Sequence, residues 1–477
     1  MIDMKKLSAD LLKTLPRADG EYVNDLLWES LSSLNKKIIV LDDDPTGVQT
    51  VHDVSVFTDW SPESIEQGFK ETQPIFFILT NSRGFTAEET EKAHRKIAQN
   101  ILQVANKLDR EFLIISRGDS TLRGHYPLET MVLKDTIEAN SNLKVDGEVI
   151  LPFFKEGGRL TIGNVHYVQY GEALVPAGET EFAKDRTFGY TKSHLGEWIE
   201  EKSHGKFTSN NTTYISLDQL RALDIEGITA QLLNVKDFNK VVVNAADEID
   251  VKIFTIALVR AINAGRNFMF RTAAAFPKVI GGVSDKPLLT AGEMLGEERE
   301  NGGLIIIGSH VKKTTEQLEE LRKLSDLNFI EFNSHLVLRP DEFEKELDRV
   351  IETTESLVRS GATVAVYTRR ERLDLGENMQ EEELKLSVKI SDAVTSIVTR
   401  LQVRPKFLIA KGGITSSDVG TKGLKVKRAT VAGQIRPGIP VWKTGEESKY
   451  PGIAYVIFPG NVGTKTDLRE IVDVLNK

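Results

Sequence analysis

Two α/β domains with largely parallel sheets are predicted from three observations. Short apolar runs alternate with amphipathic stretches along nearly the whole chain, which is the pattern of strand-helix-strand units. The 477 residues exceed what a single core organises. Between 277 and 303 the alternation stops, and Gly281-Gly282, Pro287 and Gly302-Gly303 punctuate a stretch without a long apolar run, which marks the interdomain connection.

Taken in order, residues 1–36 read as a helical extension, with Leu11, Leu12, Leu15, Leu26, Leu27, Leu31 and Leu34 at loosely helical spacing. A first domain is expected over 37–285, with strands at 38–41, 54–57, 75–79, 112–115, 149–153, 214–217, 241–243 and 268–270. Helices are expected at 86–108, opening on a Thr86 to Glu89 capping box, and at 248–264. The second domain, 303–477, carries strands at 304–307, 329–332, 363–367, 407–410, 426–430 and 454–458. Its helices fall near 314–324, 342–359 and 381–403, and no fixed-period repeat appears.

Charge and composition narrow the class. A net charge of -9 argues against a nucleic-acid or membrane-surface partner, which would call for a basic excess. The absence of cysteine excludes disulfides, thiolate metal sites and a cysteine nucleophile. Residues 1–15 mix Lys, Asp and Leu without the apolar core of a secretory signal, and no run of eighteen apolar residues occurs, so a soluble cytoplasmic protein is expected.

Two strand exits in the first half carry chemistry. Asp42-Asp43-Asp44-Pro45-Thr46-Gly47 follows the apolar run Ile38-Ile39-Val40-Leu41, and three adjacent carboxylates at the end of a buried strand need cationic or protic partners. Turn chemistry alone would account for Asp-Pro and Thr-Gly. The second exit, Arg117-Gly118-Asp119-Ser120-Thr121-Leu122-Arg123-Gly124-His125, joins two guanidinium forks, two hydroxyls and a carboxylate, a set suited to an anionic, hydroxylated molecule.

The second half offers three phosphate-type exits: Gly308-Ser309-His310, Lys411-Gly412-Gly413-Ile414-Thr415-Ser416, and Pro459-Gly460-Asn461-Val462-Gly463-Thr464. Glycine lets main-chain N–H groups approach an anion. Neither the Walker spacing nor Gly-x-Gly-x-x-Gly is met, so spacing alone does not identify a nucleotide fold.

Together, Asp43-Asp44-Pro45-Thr46-Gly47, Asp119-Ser120-Thr121-Leu122-Arg123-Gly124, Gly412-Gly413-Ile414-Thr415-Ser416 and Pro459-Gly460-Asn461-Val462-Gly463 resemble, in order from about residue 37 to the C-terminus, the four-carbon acid sugar kinase family. The resemblance implies a sugar-acid-binding domain followed by a nucleotide-binding domain, with the active site in the interdomain cleft. It implies transfer of phosphate from ATP, with Mg²⁺, to the terminal hydroxyl of a compound such as threonate, erythronate or 3-oxo-tetronate. By correspondence, Asp43 and Asp44 are the catalytic acidic pair, either serving as base or hydroxyl-orienting group. Residues Asp119 to Arg123 correspond to the substrate loop, with Arg117 and Arg123 expected on the substrate carboxylate and Ser120 and Thr121 on its hydroxyls. Ser309, Gly412, Gly413, Ile414, Thr415 and Gly460 correspond to nucleotide contacts, with Asn461 and Gly463 in the same loop. No all-protein metal site is expected, because Mg²⁺ rides on phosphates and water.

Pro45, Asp42 and His125 depart from the family pattern, all on the substrate side. The competing readings are a non-catalytic two-domain sugar-acid binding protein and a non-kinase sugar-acid enzyme. Neither the oligomeric state, with a homo-oligomer compatible, nor the particular acid is legible in the residues.

Overall fold

A computed structural model describes residues 6–296, 300–371, 373, 380–460 and 462–476. The chain forms two compact units, one running to Gly47 and resuming over Asp59–Ser284, the other made of Val48–Thr58 with the chain from Asp285 onward. Both are α/β.

In the first unit seven parallel strands lie in the order Thr213–Ile215, Asn239–Val243, Gly147–Leu151, Phe268–Thr272, Phe112–Arg117, Lys37–Asp42 and Ile75–Leu79. Most of these strands are buried along their length, as the Ile75–Leu79 strand is throughout, because helices cover the sheet. From Lys37–Asp42 the next strand of this sheet lies on one side, at Ile75–Leu79, and the one after lies on the other, at Phe112–Arg117. That reversal opens a crevice at the carboxyl ends of the strands. The helix Ala87–Leu108 starts on the expected capping box and buries Ala93, Ile97, Ile101 and Val104.

Several elements differ from expectation. The Thr213–Ile215 strand stops at Ile215 because Ser216 caps a short helix, Leu217–Arg221, with Gln219 completing the capping box. A four-stranded antiparallel sheet, Leu7–Ser8, Ala173–Pro176, Val165–Tyr170 and Arg159–Ile162, had no counterpart among the expected strands. Within the N-terminal segment Leu7–Ser8 is therefore strand, while Gly20–Ser32 is helix, capped by Asp19 and packed on Glu248–Asn263.

The strands of the second unit lie in the order Val54–Phe57, Arg428–Arg436, Ile439–Thr444, Ala454–Phe458, Leu408–Lys411, Leu304–Ile307, Thr363–Thr368 and Leu327–Phe332. The last five are parallel and the first three antiparallel. Val54–Phe57, expected with the first series, pairs instead with the strand of Arg428 to Val431. Ile305, Ile307, Phe407, Ile409, Val456 and Phe458 belong to its core. Among the described residues no helix is long and apolar enough to cross a membrane.

One buried charge pair gives a test of how the first unit is held. Lys240 donates to Glu148 at 2.6 Å with both side chains fully buried, and its ammonium lies 3.5 Å from the Phe238 ring centroid and 3.7 Å from that of Phe207. Lys240→Met leaves Glu148 as an uncompensated buried charge and should cost about 3–5 kcal/mol in urea unfolding. The double variant with Glu148→Leu should recover most of that loss, and no recovery would mean that the lysine stem's packing matters more than the pair.

Candidate active site

At the carboxyl edge of the first sheet, neighbouring strand exits bring Asp42, Asp43, Asp44 and Asp119 together with Arg83, Arg117, Arg123 and Arg271, and Glu129 joins them from the helix Leu128–Asn140. Asp42 ends its strand buried, and its Oδ1 accepts from Arg117 Nη1 at 3.1 Å. Burial pushes its carboxyl up to about 7, against the pull of Arg117. A Cβ on Gly47 would come within 1.8 Å of the Asp42 carboxylate, so glycine is what lets the turn close over it. The turn itself is an Asx type, with Thr46 N donating to Asp44 Oδ1 at 2.8 Å.

Arg83 grips the next two acids. Its Nη2 and Nε donate to the two oxygens of Asp43 at 2.6 and 3.1 Å, and its Nη1 donates to Asp44 Oδ2 at 3.1 Å. Burial raises the Asp43 carboxyl despite Arg83 and Arg271. For Asp44, burial is outweighed by Arg83 and the Thr46 hydrogen bonds, and the carboxyl lies below its usual range. Behind them Arg271 Nη1 donates to Glu129 Oε2 at 2.6 Å and its Nη2 to the Arg123 carbonyl at 3.1 Å. Glycine makes room here too, since a Cβ at Gly118 would sit 2.1 Å from the Arg271 guanidinium carbon.

The 117–125 loop is organised from within. Asp119 accepts from Arg123 Nε at 2.7 Å and from Thr121 Oγ1, and although burial opposes it, Arg123 and Arg83 hold the carboxyl well below its usual range. The Tyr190 hydroxyl donates to the Thr121 carbonyl at 2.7 Å. Buried His166 donates from Nε2 to the Ser120 carbonyl at 2.8 Å, which leaves Nδ1 to accept from Thr161 Oγ1 at 3.0 Å. Asp43, Asp44, Asp119, Ser120, Thr121 and Arg123 thus share one edge. Arg117, expected on a ligand carboxylate, is buried and engaged by Asp42, with Asp43 at 3.7 Å. Arg83 and Arg271 were not foreseen; each follows or ends an apolar strand just as Arg117 does, and that position was the signal available.

In the second unit Ser309, Gly412, Gly413, Ile414 and Thr415 line one cavity of about 330 Å³, with His310, Thr368, Leu373, Ser387, Ile390, Ser391 and Val394 among the other walls. Gly412 has φ +126°, a conformation reserved for glycine, and a Cβ on Gly308 would come within 2.3 Å of Thr415 Oγ1. Gly460 joins through Thr314, whose Oγ1 donates to the Gly460 carbonyl at 3.1 Å and to Ser309 Oγ at 3.2 Å. Beneath, buried Lys411 donates to the carbonyls of Pro459 at 2.5 Å and Gly460 at 3.1 Å, tying two strand exits together. Arg370 secures the third by donating to the Ser309 carbonyl at 2.7 Å. Gly463, at φ +82°, lies outside the cavity lining and precedes the Thr464 to Asp467 cap. Asn461 lies outside the described residues.

The two halves define a class of protein: a parallel-sheet unit with an arginine-and-acid edge, in a chain with a second unit whose glycine exits meet at a cavity. Residues 38–280 match the model of a sugar-binding N-terminal domain, and residues 304–468 that of a nucleotide-binding C-terminal domain. The chain belongs to the four-carbon acid sugar kinase family, whose domain architecture this is. Among solved structures it is similar to a Haemophilus influenzae protein at 17% identity and TM-score 0.58, covering 92% of this chain and 100% of that one. The candidate tRNA synthase of Salmonella typhimurium LT2 is similar at 16% identity and TM-score 0.64, covering 91% and 98%. These likenesses are of fold. No curated protein matches the chain.

His166 supplies a test of the loop's anchoring. Burial pushes its imidazole down to about 4, from 6.5 for a free ring. Between those values the unfolded chain takes up a proton that the folded chain refuses, so stability falls as pH drops from 6.5 towards 4. At about 1.36 kcal/mol per unit, the wild type should lose about 3 kcal/mol relative to His166→Asn across that window in urea unfolding. Parallel pH profiles for the two proteins would contradict a buried neutral ring.

Proposed function

We propose that this protein is an ATP-dependent kinase that phosphorylates the terminal hydroxyl of a four-carbon sugar acid of the threonate, erythronate or 3-oxo-tetronate type. The observation that carries the reading is the Arg83-Asp43-Asp44 constellation, which adjoins a hydroxyl- and arginine-bearing loop inside a unit that matches a sugar-binding domain. The glycine-lined cavity in a unit matching a nucleotide-binding domain supports ATP as the second substrate.

Phosphoryl transfer to an alcohol passes through a loose transition state, so positioning and charge stabilisation matter more than a strong base. Asp44 is the more open of the pair, its side chain 16% exposed against 2% for Asp43. Being held ionised, it would accept the hydrogen bond of the attacking hydroxyl and orient its lone pair. Asp43, clamped on both oxygens by Arg83, would fix that guanidinium in place. The forks of the 117–125 loop and their neighbours would hold the acid's carboxylate. In the second unit, Leu373, Ile390, Val394 and Ile414 offer apolar surface for a base, and the glycine exit at Gly412-Gly413 beside Ser309 would let phosphates come close to the main chain, with the Gly460 exit adjoining through Thr314. Mg²⁺ would be held by phosphate oxygens and water, a mode that needs no protein cage, and would neutralise phosphate charge.

A coupled ADP-release assay with Mg²⁺ across four- and five-carbon sugar acids tests the reading: turnover with an acid supports it, and tight acid binding without ATP consumption would leave a non-catalytic sugar-acid binding protein. Asp44→Asn keeps an acceptor for Thr46 but loses the charge, so turnover should fall by about 100-fold with little change in Tm. Full activity in that variant and in Asp43→Asn would remove both acids from the mechanism. Gly412→Ala, forced into a glycine-only conformation, should raise the KM for ATP and leave sugar-acid binding level, whereas helical Gly413 should tolerate alanine as a backbone change.

A further inference from the structure

Arg159 opens the antiparallel strand Arg159–Ile162, in a part of the chain where no motif was read. Its main chain pairs with Phe154, through N–H to carbonyl bonds of 2.9 and 3.0 Å, and with Val168 across the strand. Its side chain is placed very differently from the other arginines of this edge. Arg83, Arg117, Arg123 and Arg271 each have a carboxylate partner. Among the described residues the Arg159 guanidinium makes no hydrogen bond or ion pair, and its Nε is buried with no partner.

What surrounds it is the substrate loop. Arg159 lies over the Phe182 ring, 5.5 Å from its centroid, and Arg123 lies over the same ring at 5.2 Å. The ring thus gathers two guanidiniums beside Asp119, whose charge is already engaged by Arg123 and Thr121. Gly157 leaves space for the fork, since a Cβ there would come within 2.9 Å of Arg159 Nη1. The side chain is half-buried, and a guanidinium N–H held out of water without an acceptor, as at its Nε, is costly. Burial and the neighbouring Arg123 both disfavour its charge, while Asp119, Tyr170 and Glu181 favour it from a distance.

We infer that Arg159 is a substrate-binding residue whose unpaired fork, together with Arg123 across Phe182, takes the carboxylate of a hydroxylated acid. The inference rests on the sugar-acid reading above and moves the carboxylate clamp from the Arg117–Arg123 pair to an Arg159–Arg123 pair. Both arginines have a buried Nε without a partner, but Arg117 Nη1 is committed to Asp42, whereas no atom of the Arg159 fork has a hydrogen-bond partner among the described residues. A bidentate, charge-assisted contact of this kind discriminates an acid from its uncharged polyol.

Calorimetric binding of threonate, erythronate and a 3-oxo-tetronate, with erythritol as the neutral probe, separates this from catalysis because no ATP is needed. Arg159→Gln should weaken binding of the acid by about 10- to 100-fold, the worth of a charged fork. Erythritol binding should change little, so the wild type's preference for acid over polyol should collapse, and Arg159→Lys should restore part of it. Tm should change little, since the half-buried guanidinium makes no hydrogen bond or ion pair among the described residues. Unchanged acid affinity in Arg159→Gln, or an equal loss for acid and polyol, would overturn the inference. If the wild type binds acid through Arg159 yet releases no ADP, the kinase reading alone fails; if the wild type binds none of threonate, erythronate and a 3-oxo-tetronate, both fail.

Discussion

The grip of Arg83 on Asp43 and Asp44 is the interaction on which the rest of the first unit's edge depends. Consecutive aspartates at the end of a buried strand repel one another and lose hydration, and each must meet a cation within hydrogen-bond reach or give up its charge. A single fork answers two of them, with Nη2 and Nε on Asp43 and Nη1 on Asp44. Asp42 is met by Arg117 from the adjoining strand. Since these strands are neighbours in one parallel sheet, the charges converge through topology rather than through closeness in sequence. The consequence for chemistry is an ionised Asp44 in a fixed orientation, beside a loop that is itself tied down by His166 and Tyr190.

A different device organises the second unit. There the exits are brought together by main-chain contacts: Lys411 on the carbonyls of Pro459 and Gly460, Arg370 on that of Ser309, Thr314 between Ser309 and Gly460. These donors serve carbonyls, and the amides of Gly308, Ser309 and Gly412 are in turn spent on the carbonyls of Lys411 and Phe458, so the exits are locked to one another through the main chain. Gly308 and Gly412 matter because a methyl group at either would meet Thr415 or Ser309.

How much of this was legible in the sequence follows from which contacts are local. The parallel strands were readable because strands covered on both faces are continuous apolar runs, as Ile75-Phe76-Phe77-Ile78-Leu79 is. The acid triplet, the Arg117 loop and the Gly412 exit were readable because each carries several chemical groups in a row. Arg83 and Arg271 stand nearly alone at their strand ends, and their roles depend on the order of strands in the sheet, which no local pattern encodes. The strand of Arg159 is four residues long with a mixed pattern, and only its packing on Phe182 gives it meaning. Val54–Phe57 was recognisable as a strand, but its partner, the strand beginning at Arg428, is more than 350 residues away. The cavity wall from Ser387, Ile390, Ser391 and Val394 lies on a helix whose apolar spacing reads as ordinary core.

Phosphorus NMR of a reaction mixture containing ATP, Mg²⁺ and the acid that best supports ADP release would test the central claim most directly. The account predicts one new phosphomonoester signal, coupled to a terminal CH₂ of the acid and equal in amount to the ADP formed. ADP accompanied by inorganic phosphate alone, or a phosphoester at an internal hydroxyl, would contradict it.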